Sequence, residues 1–152
     1  MSAVESPATQ LASFIDKFEP VMAKRIRACR AALRKRFPCA NEIVYDNYNF
    51  FVIGYTPTER PSDTIVSLAA GASGVGLSFY HGATIPDPHG LLLGEGVQNR
   101  FVRLESAERL VDPQVAELID AAVAQSKVPL GHAKGRLIIK SISAKQRPRR
   151  KT

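Results

Sequence analysis

The sequence EIVYDNYNFFVIGY, residues 42–55, contains two apolar runs on either side of the polar triplet Asn47-Tyr48-Asn49. Valine, isoleucine, tyrosine and phenylalanine dominate both runs, and these residue types are typical of strands. Asparagine favours turns because its side chain bonds the neighbouring backbone. We therefore predict two strands, Glu42–Asp46 and Phe50–Tyr55, joined by a turn.

Further apolar runs follow along the chain, each bounded by segments that contain glycine or proline. Residues 64–70 and 75–80 flank the turn sequence GASG and predict a hairpin. Residues 82–96 hold four glycines and two prolines, which predicts a long irregular loop. Residues 99–104 and 136–143 are predicted to form two more strands.

Before residue 42 the apolar spacing is that of helices. One apolar stripe with helical spacing is formed by Leu11, Phe14, Ile15 and Phe18. Ser6-Pro7 supplies a capping hydroxyl and a proline at the first helical position, and Pro20 begins a second helix that runs to about Arg36. Asp112-Pro113 caps a third helix in the same way.

This succession of elements predicts an α+β fold. We expect an antiparallel β-sheet of about five to six strands, packed by an N-terminal helix pair and a C-terminal helix. Residues 1–143 should form a single domain, and residues 144–152 a basic, mobile tail. The predicted core residues are Leu11, Phe14, Ile26, Leu33, Val66, Leu68, Leu77, Phe79, Val102, Leu118 and Ile119.

The composition excludes several classes of protein. With 152 residues, 45% of them hydrophobic, the chain can bury enough surface for one folded domain. No apolar run approaches the ~18 residues of a membrane span, and residues 1–10 lack a secretory signal. Two cysteines are too few for a disulfide framework, so we expect a cytoplasmic protein. Phosphate-loop, Rossmann and serine-hydrolase motifs are absent, which favours a non-enzymatic protein without a cofactor.

The charge is divided into three blocks along the chain. Residues 1–36 hold eight Lys/Arg and three Asp/Glu, residues 37–120 hold four and eleven, and residues 121–152 hold nine and none. Basic surfaces attract phosphate, nucleic acid or an acidic protein. The alternative is that the two basic blocks fold over the acidic block and neutralise it. The sequence leaves both interpretations open.

The basic blocks supply the candidate anion-binding residues. The second helix has no acid between Glu19 and Glu42, and its unpaired cations repel each other. The tail adds a second cationic patch of the kind that contacts phosphates. We predict weak, non-specific binding of a polyanion or an acidic protein partner through Arg27, Arg34, Lys35, Arg147, Arg149 and Arg150.

A polar cluster around the first two strands supplies the candidate small-molecule site. Residues in loops on a rigid sheet often carry function, and aromatic and polar side chains here could line a pocket. The predicted ligand-binding residues are Tyr45, Asp46, Asn47, Tyr48, Asn49, Glu59, Arg60, Asp63, His81 and Arg100.

The strongest metal candidates are His81, Asp87 and His89, since two imidazoles and a carboxylate could hold iron. Their spacing fixes no common direction, and we expect no tightly bound metal. Cys29 lies on the apolar stripe of the second helix and should pack as a small hydrophobe. Cys39 is also expected to be unreactive.

Several stretches together resemble the YdhG-like family, a bacterial domain of unknown function. They are IVYDNYN (43–49), PTERPSD (57–63), PDP (86–88), LLLGEG (91–96), RFVRL (100–104) and IIKSISAKQRPRR (138–150). The resemblance covers roughly residues 10–150 and implies an α+β fold with a curved antiparallel sheet. It implies no reaction. One branch of the family is linked with a frataxin-like iron-chaperone role, which relies on an acidic surface, whereas the first helices here are basic.

Two functions therefore remain open. The first is a small non-enzymatic binding module for an anionic or small-molecule ligand. The alternative is an intracellular iron chaperone of the frataxin-like type. A weaker third hypothesis is an enzyme that uses Tyr45 and Asp46 as an acid–base pair, for which the sequence offers no nucleophile.

Overall fold

The computed structural model describes residues 5–151 and confirms the α+β class. The first four residues of the predicted domain and Thr152 of the predicted tail lie outside this range. The helices and strands are α1 (Pro7–Ile15), α2 (Pro20–Arg36), β1 (Asn41–Asp46), β2 (Phe51–Thr56), β3 (Val66–Gly71), β4 (Gly74–Phe79), β5 (Arg100–Arg103), α3 (Pro113–Gln125) and β6 (Leu137–Ile142). None of the helices within this range is long and apolar enough to cross a membrane.

The helices begin at the residues that the capping pattern predicts. The Ser6 hydroxyl oxygen accepts a hydrogen bond of 3.2 Å from the Thr9 backbone N–H, and the Asp112 carboxylate accepts one of 2.9 Å from Gln114. Proline occupies the first position of all three helices. A side-chain cap satisfies an N–H that the first turn leaves unpaired, so these signals are reliable in sequence.

The sheet is mixed. The sequence predicts an antiparallel sheet, and this prediction is wrong for one strand, β6. The order is β5-β4-β3-β2-β1-β6, with β1 to β5 antiparallel and β6 parallel to β1. After β5 the chain leaves one edge of the sheet, passes through α3 and returns at the opposite edge. A crossover of this length allows a parallel pairing that a short turn does not.

One face of the sheet carries the core. Alternate residues of β2, β3 and β4 are buried on this inner face, where they pack with the apolar stripes of the three helices. All eleven predicted core residues are buried, none more than 6% exposed. The other, outer face carries half-exposed side chains such as Val52, Ser67, Ala69 and Ser78.

Residues 144–151 lie against the domain, which differs from the separate tail expected from the sequence. The Arg147 backbone N–H donates to the Tyr48 carbonyl oxygen at 2.8 Å, and the Gln146 side chain donates to the Asp46 carbonyl oxygen at 2.8 Å. Arg149 is 5% exposed. The basic run of residues 144–152 has the composition of a solvated tail. Composition does not show that Arg149, within this run, is buried, so the sequence did not predict the docking.

Cys29 packs as a small hydrophobe in the core, as its helical spacing predicts. It is fully buried against the inner face. Burial raises the pKa of the Cys29 thiol from its ordinary value of 9.0 to about 11. The neutral thiol is therefore the form that the folded protein holds at neutral pH.

We expect Cys29 to make stability fall at alkaline pH. Between pH 9 and 11 the thiol ionises in the unfolded chain but stays protonated in the folded one. Its contribution is thus complete below pH 9 and is lost by pH 11, on the order of 3 kcal/mol. Urea unfolding of wild type and Cys29→Ala at pH 8, 9.5 and 10.5 measures this. The same loss in both proteins would contradict the assignment.

A close crossing of two backbones fixes the chain between α3 and β6. A Cβ atom added at Gly135 would lie 1.7 Å from the Ala40 carbonyl oxygen. The Gly135 N–H also donates to the Pro38 carbonyl oxygen at 3.2 Å. Only glycine fits at this point, where the segment before β6 passes the start of β1.

We expect Gly135→Ala to lower the free energy of unfolding by about 1–3 kcal/mol, because the clash is with backbone and cannot be relieved by a rotamer change. Gly131→Ala is the matched control, since a Cβ there meets nothing within 4 Å. Its effect should stay within about 0.5 kcal/mol. Urea unfolding of both variants measures the two effects. Equal effects would show that the backbones at Gly135 and Ala40 are not in close contact.

Candidate ligand-binding site

Small residues form a depression in the outer face of the sheet. Strand pairing arranges the outward residues of β2, β3, β4 and β5 in two adjacent rows. One row is Val52, Ala69, Gly76 and Arg103, and the other is Gly54, Ser67, Ser78 and Phe101. Side chains of paired residues lie on the same face of a sheet. The centre of each row, on β3 and β4, therefore lacks any large side chain.

Large side chains surround this depression and turn it into a groove. Phe50, Tyr80, Phe101 and Arg103 are among the bulky residues that line it. Together with the small residues they bound a mostly apolar cavity of about 660 Å³, which we call the sheet groove. Among the polar groups, the Ser78 hydroxyl donates to the Asn99 side-chain oxygen at 2.6 Å.

A second cavity of about 800 Å³ adjoins the sheet groove at the β3–β4 turn. We call it the basic end, because Arg147, Arg150 and Lys151 line it. The two cavities share Phe50, Gly71 and Ser73. Phe50 is 55% exposed, and its ring covers Gly71, where an added Cβ would lie 3.3 Å from the ring.

The carboxylate of Asp46 is fully buried on the inner face, where two cations hold it. Lys17 Nζ lies 2.7 Å from one oxygen and Arg149 Nη2 lies 3.0 Å from the other. The same Arg149 nitrogen donates to the Asn47 carbonyl oxygen at 2.6 Å. Asp46 is therefore part of a buried ion cluster and lies away from the sheet groove.

The proposed acid–base pair of Tyr45 and Asp46 is not assembled. Successive strand residues face opposite sides of a sheet, so Tyr45 lies on the outer face and Asp46 on the inner one. Burial raises the pKa of the Tyr45 phenol, and nearby Tyr80 raises it further. A phenol with a raised pKa is a poorer acid at neutral pH.

Glu42 forms a second buried ion cluster, which sequence reasoning missed. Arg30 donates to both carboxylate oxygens, at 2.9 and 3.0 Å, and the Tyr55 hydroxyl donates at 2.9 Å. Burial raises the pKa of Tyr55 well above its ordinary value, and the charge of Glu42 adds to the effect. The signal in sequence was a lone glutamate in a strand, facing a basic helix.

The cations of α2 are largely paired within the protein. Arg27 bonds Asp16, Arg34 lies 3.7 Å from Glu42, and Arg36 lies 2.9 Å from Asp120. Lys35 is exposed. With Arg30, four of the seven α2 cations contact a carboxylate. The geometry thus favours neutralisation between charge blocks over a free cationic face.

The two loops expected to form one pocket lie apart. One precedes β2 and the other follows it, so they lie at opposite ends of that strand. Of the first loop, Asn49 lines the basic end and Tyr48 lies beneath Arg147, whose guanidinium is 5.6 Å from the ring centre. The Asn47 side-chain oxygen accepts from the Ser141 hydroxyl at 2.7 Å.

The residues of the second loop make contacts away from the sheet groove. Glu59 pairs with Arg136 at 3.1 Å, and the Thr58 hydroxyl donates to Asp63 at 2.8 Å. Arg60 is exposed, and its backbone N–H donates to the Thr58 hydroxyl oxygen at 3.0 Å. The bonds of Thr58 stabilise the turn between β2 and β3, and the Glu59–Arg136 pair ties this turn to the segment before β6. None of the side chains of Glu59, Arg60 and Asp63 lines the sheet groove.

His81 and Arg100 also lie outside the sheet groove. The His81 ring nitrogens lie 3.1 Å from the Gln98 amide nitrogen and 3.1 Å from the Ser62 carbonyl oxygen. Arg100 donates to the carbonyl oxygens of Gly96 and Asn99. Both side chains thus fasten the loop before β5.

The three metal candidates contact different elements. The Asp87 carboxylate accepts from the backbone N–H groups of Leu91 and Leu92, at 2.9 and 3.0 Å. His89 lies 3.3 Å from Glu117 on α3. Within residues 5–151, no three His, Cys, Asp or Glu side chains are grouped so that they could hold a metal ion.

The sheet groove itself was not predicted from the sequence. Its signal is the period-two run of small residues in SLAAGASGVGLS, residues 67–78, whose outward positions are serine, alanine and glycine. The intervening positions are the buried apolar ones. Polar and chemically reactive residues do not indicate a site of this kind, because it is formed where the outward side chains are small.

Comparison with known proteins adds no relative. No family model, curated protein or solved structure matches the chain.

The Asp46 cluster predicts unequal effects for two neighbouring arginines. Arg149→Ala should lower the free energy of unfolding by about 3 kcal/mol, since it removes one of two cations from a buried carboxylate. Arg147→Ala, which removes an exposed guanidinium from the same segment, should change it by less than about 1 kcal/mol. Urea unfolding at pH 7 measures both. Equal, small effects of the two substitutions would mean that residues 144–151 do not pack against the domain in solution.

Proposed function

We propose that this protein is a non-enzymatic binding module for a small, largely apolar molecule that lies in the sheet groove. The groove carries the proposal: its volume of about 660 Å³ falls in the range of small-molecule sites, roughly 300–1,000 Å³. Ligand sites of this kind are mostly apolar with few polar groups, as this one is. Burial of an apolar ligand surface supplies the free energy of binding.

The floor of the sheet groove suits an apolar molecule. Ala69 and Gly76 present no polar side-chain atom, and the Ser78 hydroxyl already donates to Asn99. A ligand over these three residues would therefore leave none of their side-chain polar groups unpaired, a loss that would cost free energy.

The other hypotheses receive less support from the contacts. A polyanion would compete with the carboxylates that already hold Arg34 and Arg149. Iron delivery would require oxygen ligands that converge, whereas Asp87 and His89 bond different elements. The binding module is therefore the function that the geometry favours.

The test is binding of N-phenyl-1-naphthylamine, a neutral apolar dye whose fluorescence rises on leaving water. We expect saturable binding by the wild type. Ala69→Phe should weaken it at least about tenfold, because the added ring fills the centre of the sheet groove. The measurement is a fluorescence titration at constant protein concentration.

Ala124→Phe is the control, since it adds the same ring on the exposed surface of α3. Its dye affinity should stay within about twofold of wild type. Both variants are first checked for folding by thermal unfolding. No saturable binding to the wild type, or equal affinity in a folded Ala69→Phe protein, would contradict the proposed function.

A further inference from the structure

We infer that the ligand of the sheet groove is an amphiphile, with an apolar body in the groove and an anionic head group at the basic end. This inference rests on the proposed function and adds the chemical class of the ligand. It follows from the continuity of the two cavities and from the distribution of charge along them.

Phe50 places the apolar and the charged surfaces side by side. Its ring lines both cavities and covers Gly71, so the ring forms a divide between them. The floor on one side consists of Val52, Ala69 and Gly76. On the other side lie the cations of residues 147–151. A molecule crossing this divide passes from an apolar to a cationic environment.

Two of the cations at the basic end are held in place by contacts that do not neutralise them. Arg147 lies over the Tyr48 ring, and Arg150 Nε donates to the Lys17 carbonyl oxygen at 3.0 Å. Among the described residues, no carboxylate lies within 4.0 Å of the side-chain nitrogens of Arg147, Arg150 or Lys151. Their positive charge remains available to an anion, in contrast with that of Arg149.

The β5 side of the sheet groove, across the sheet from Phe50, has a different charge balance. Arg25 and Arg103 line it together with Glu105, and the Arg103 guanidinium lies 5.8 Å from the Phe101 ring centre. An acid next to two cations reduces the attraction for an anion. No acid lines the basic end. Charge complementarity therefore directs the head group to Arg147, Arg150 and Lys151.

A matched pair of dyes tests this assignment. 8-Anilinonaphthalene-1-sulfonate has the ring system of N-phenyl-1-naphthylamine with one added sulfonate. We expect the sulfonate to raise affinity for the wild type by about five- to tenfold at low salt, as three exposed cations can supply. The preference should shrink as salt rises, because these charges are screened.

Charge removal locates the head group. Substituting Arg147→Gln, Arg150→Gln and Lys151→Gln together should abolish the preference for the sulfonate while leaving the affinity for the neutral dye within about twofold. Lys127→Gln, an exposed change just after α3, should leave both affinities unchanged. The readout is the ratio of the affinity for the sulfonate dye to the affinity for the neutral dye. A change in groove shape alters both affinities and therefore cancels in this ratio.

Natural head groups are tested by displacement of the sulfonate dye. Monomeric dodecanoate should displace it at a concentration at least about fivefold lower than 1-dodecanol does, and the triple variant should lose this difference. Equal displacement by the acid and the alcohol from wild type would overturn the inference.

The remaining outcomes separate the two proposals. Binding of the neutral dye without any preference for the sulfonate overturns the anionic head group and leaves the proposed function standing. Binding of neither dye overturns both. A preference that Arg103→Gln abolishes and the triple variant keeps overturns the assignment to the basic end. Sedimentation with phosphatidylglycerol vesicles without displacement by monomeric dodecanoate overturns it in favour of a membrane surface.

Discussion

The buried carboxylate of Asp46 is the constraint on which the arrangement of the molecule depends. A charge with no exposure to water is stable only when it is paired, and its two partners come from distant parts of the chain. Lys17 lies just after α1, and Arg149 lies beyond β6. Because Arg149 is held there, Arg147 and Arg150 on either side of it are held beside the sheet groove.

The local elements of this fold could be predicted from the sequence, whereas the pairings between distant segments could not. Ser6, Pro20 and Asp112 mark helix starts, and alternating apolar residues mark five strands before α3. The parallel pairing of β6 depends on where the chain returns after α3, and no local pattern records that. The docking of Arg149 escaped prediction for the same reason, since its partner Asp46 is more than a hundred residues away.

The candidate site shows a different limit of sequence reasoning. The chemistry of the polar residues around β1 and β2 predicts a binding site, but most of these residues support turns or ion pairs. Asn49 reaches the basic end only because residues 147–151 fold back beside it. The sheet groove arises from what Ala69 and Gly76 lack, in a register set by the β3–β4 turn. Such a site can be recognised only when both the strand register and the face of the sheet on which each side chain lies are known.

The parallel strand β6 also bears on how the chain is protected during synthesis. β1 is paired on one side by β2, which follows it directly, but its other side waits for Leu137–Ile142, nearly a hundred residues later. Until that segment is translated, the backbone of an Ile-Val-Tyr strand stays open along its full length. An unpaired apolar edge is a template on which other chains can add. The second edge of β1 is therefore covered only after the C-terminal part of the chain has been made.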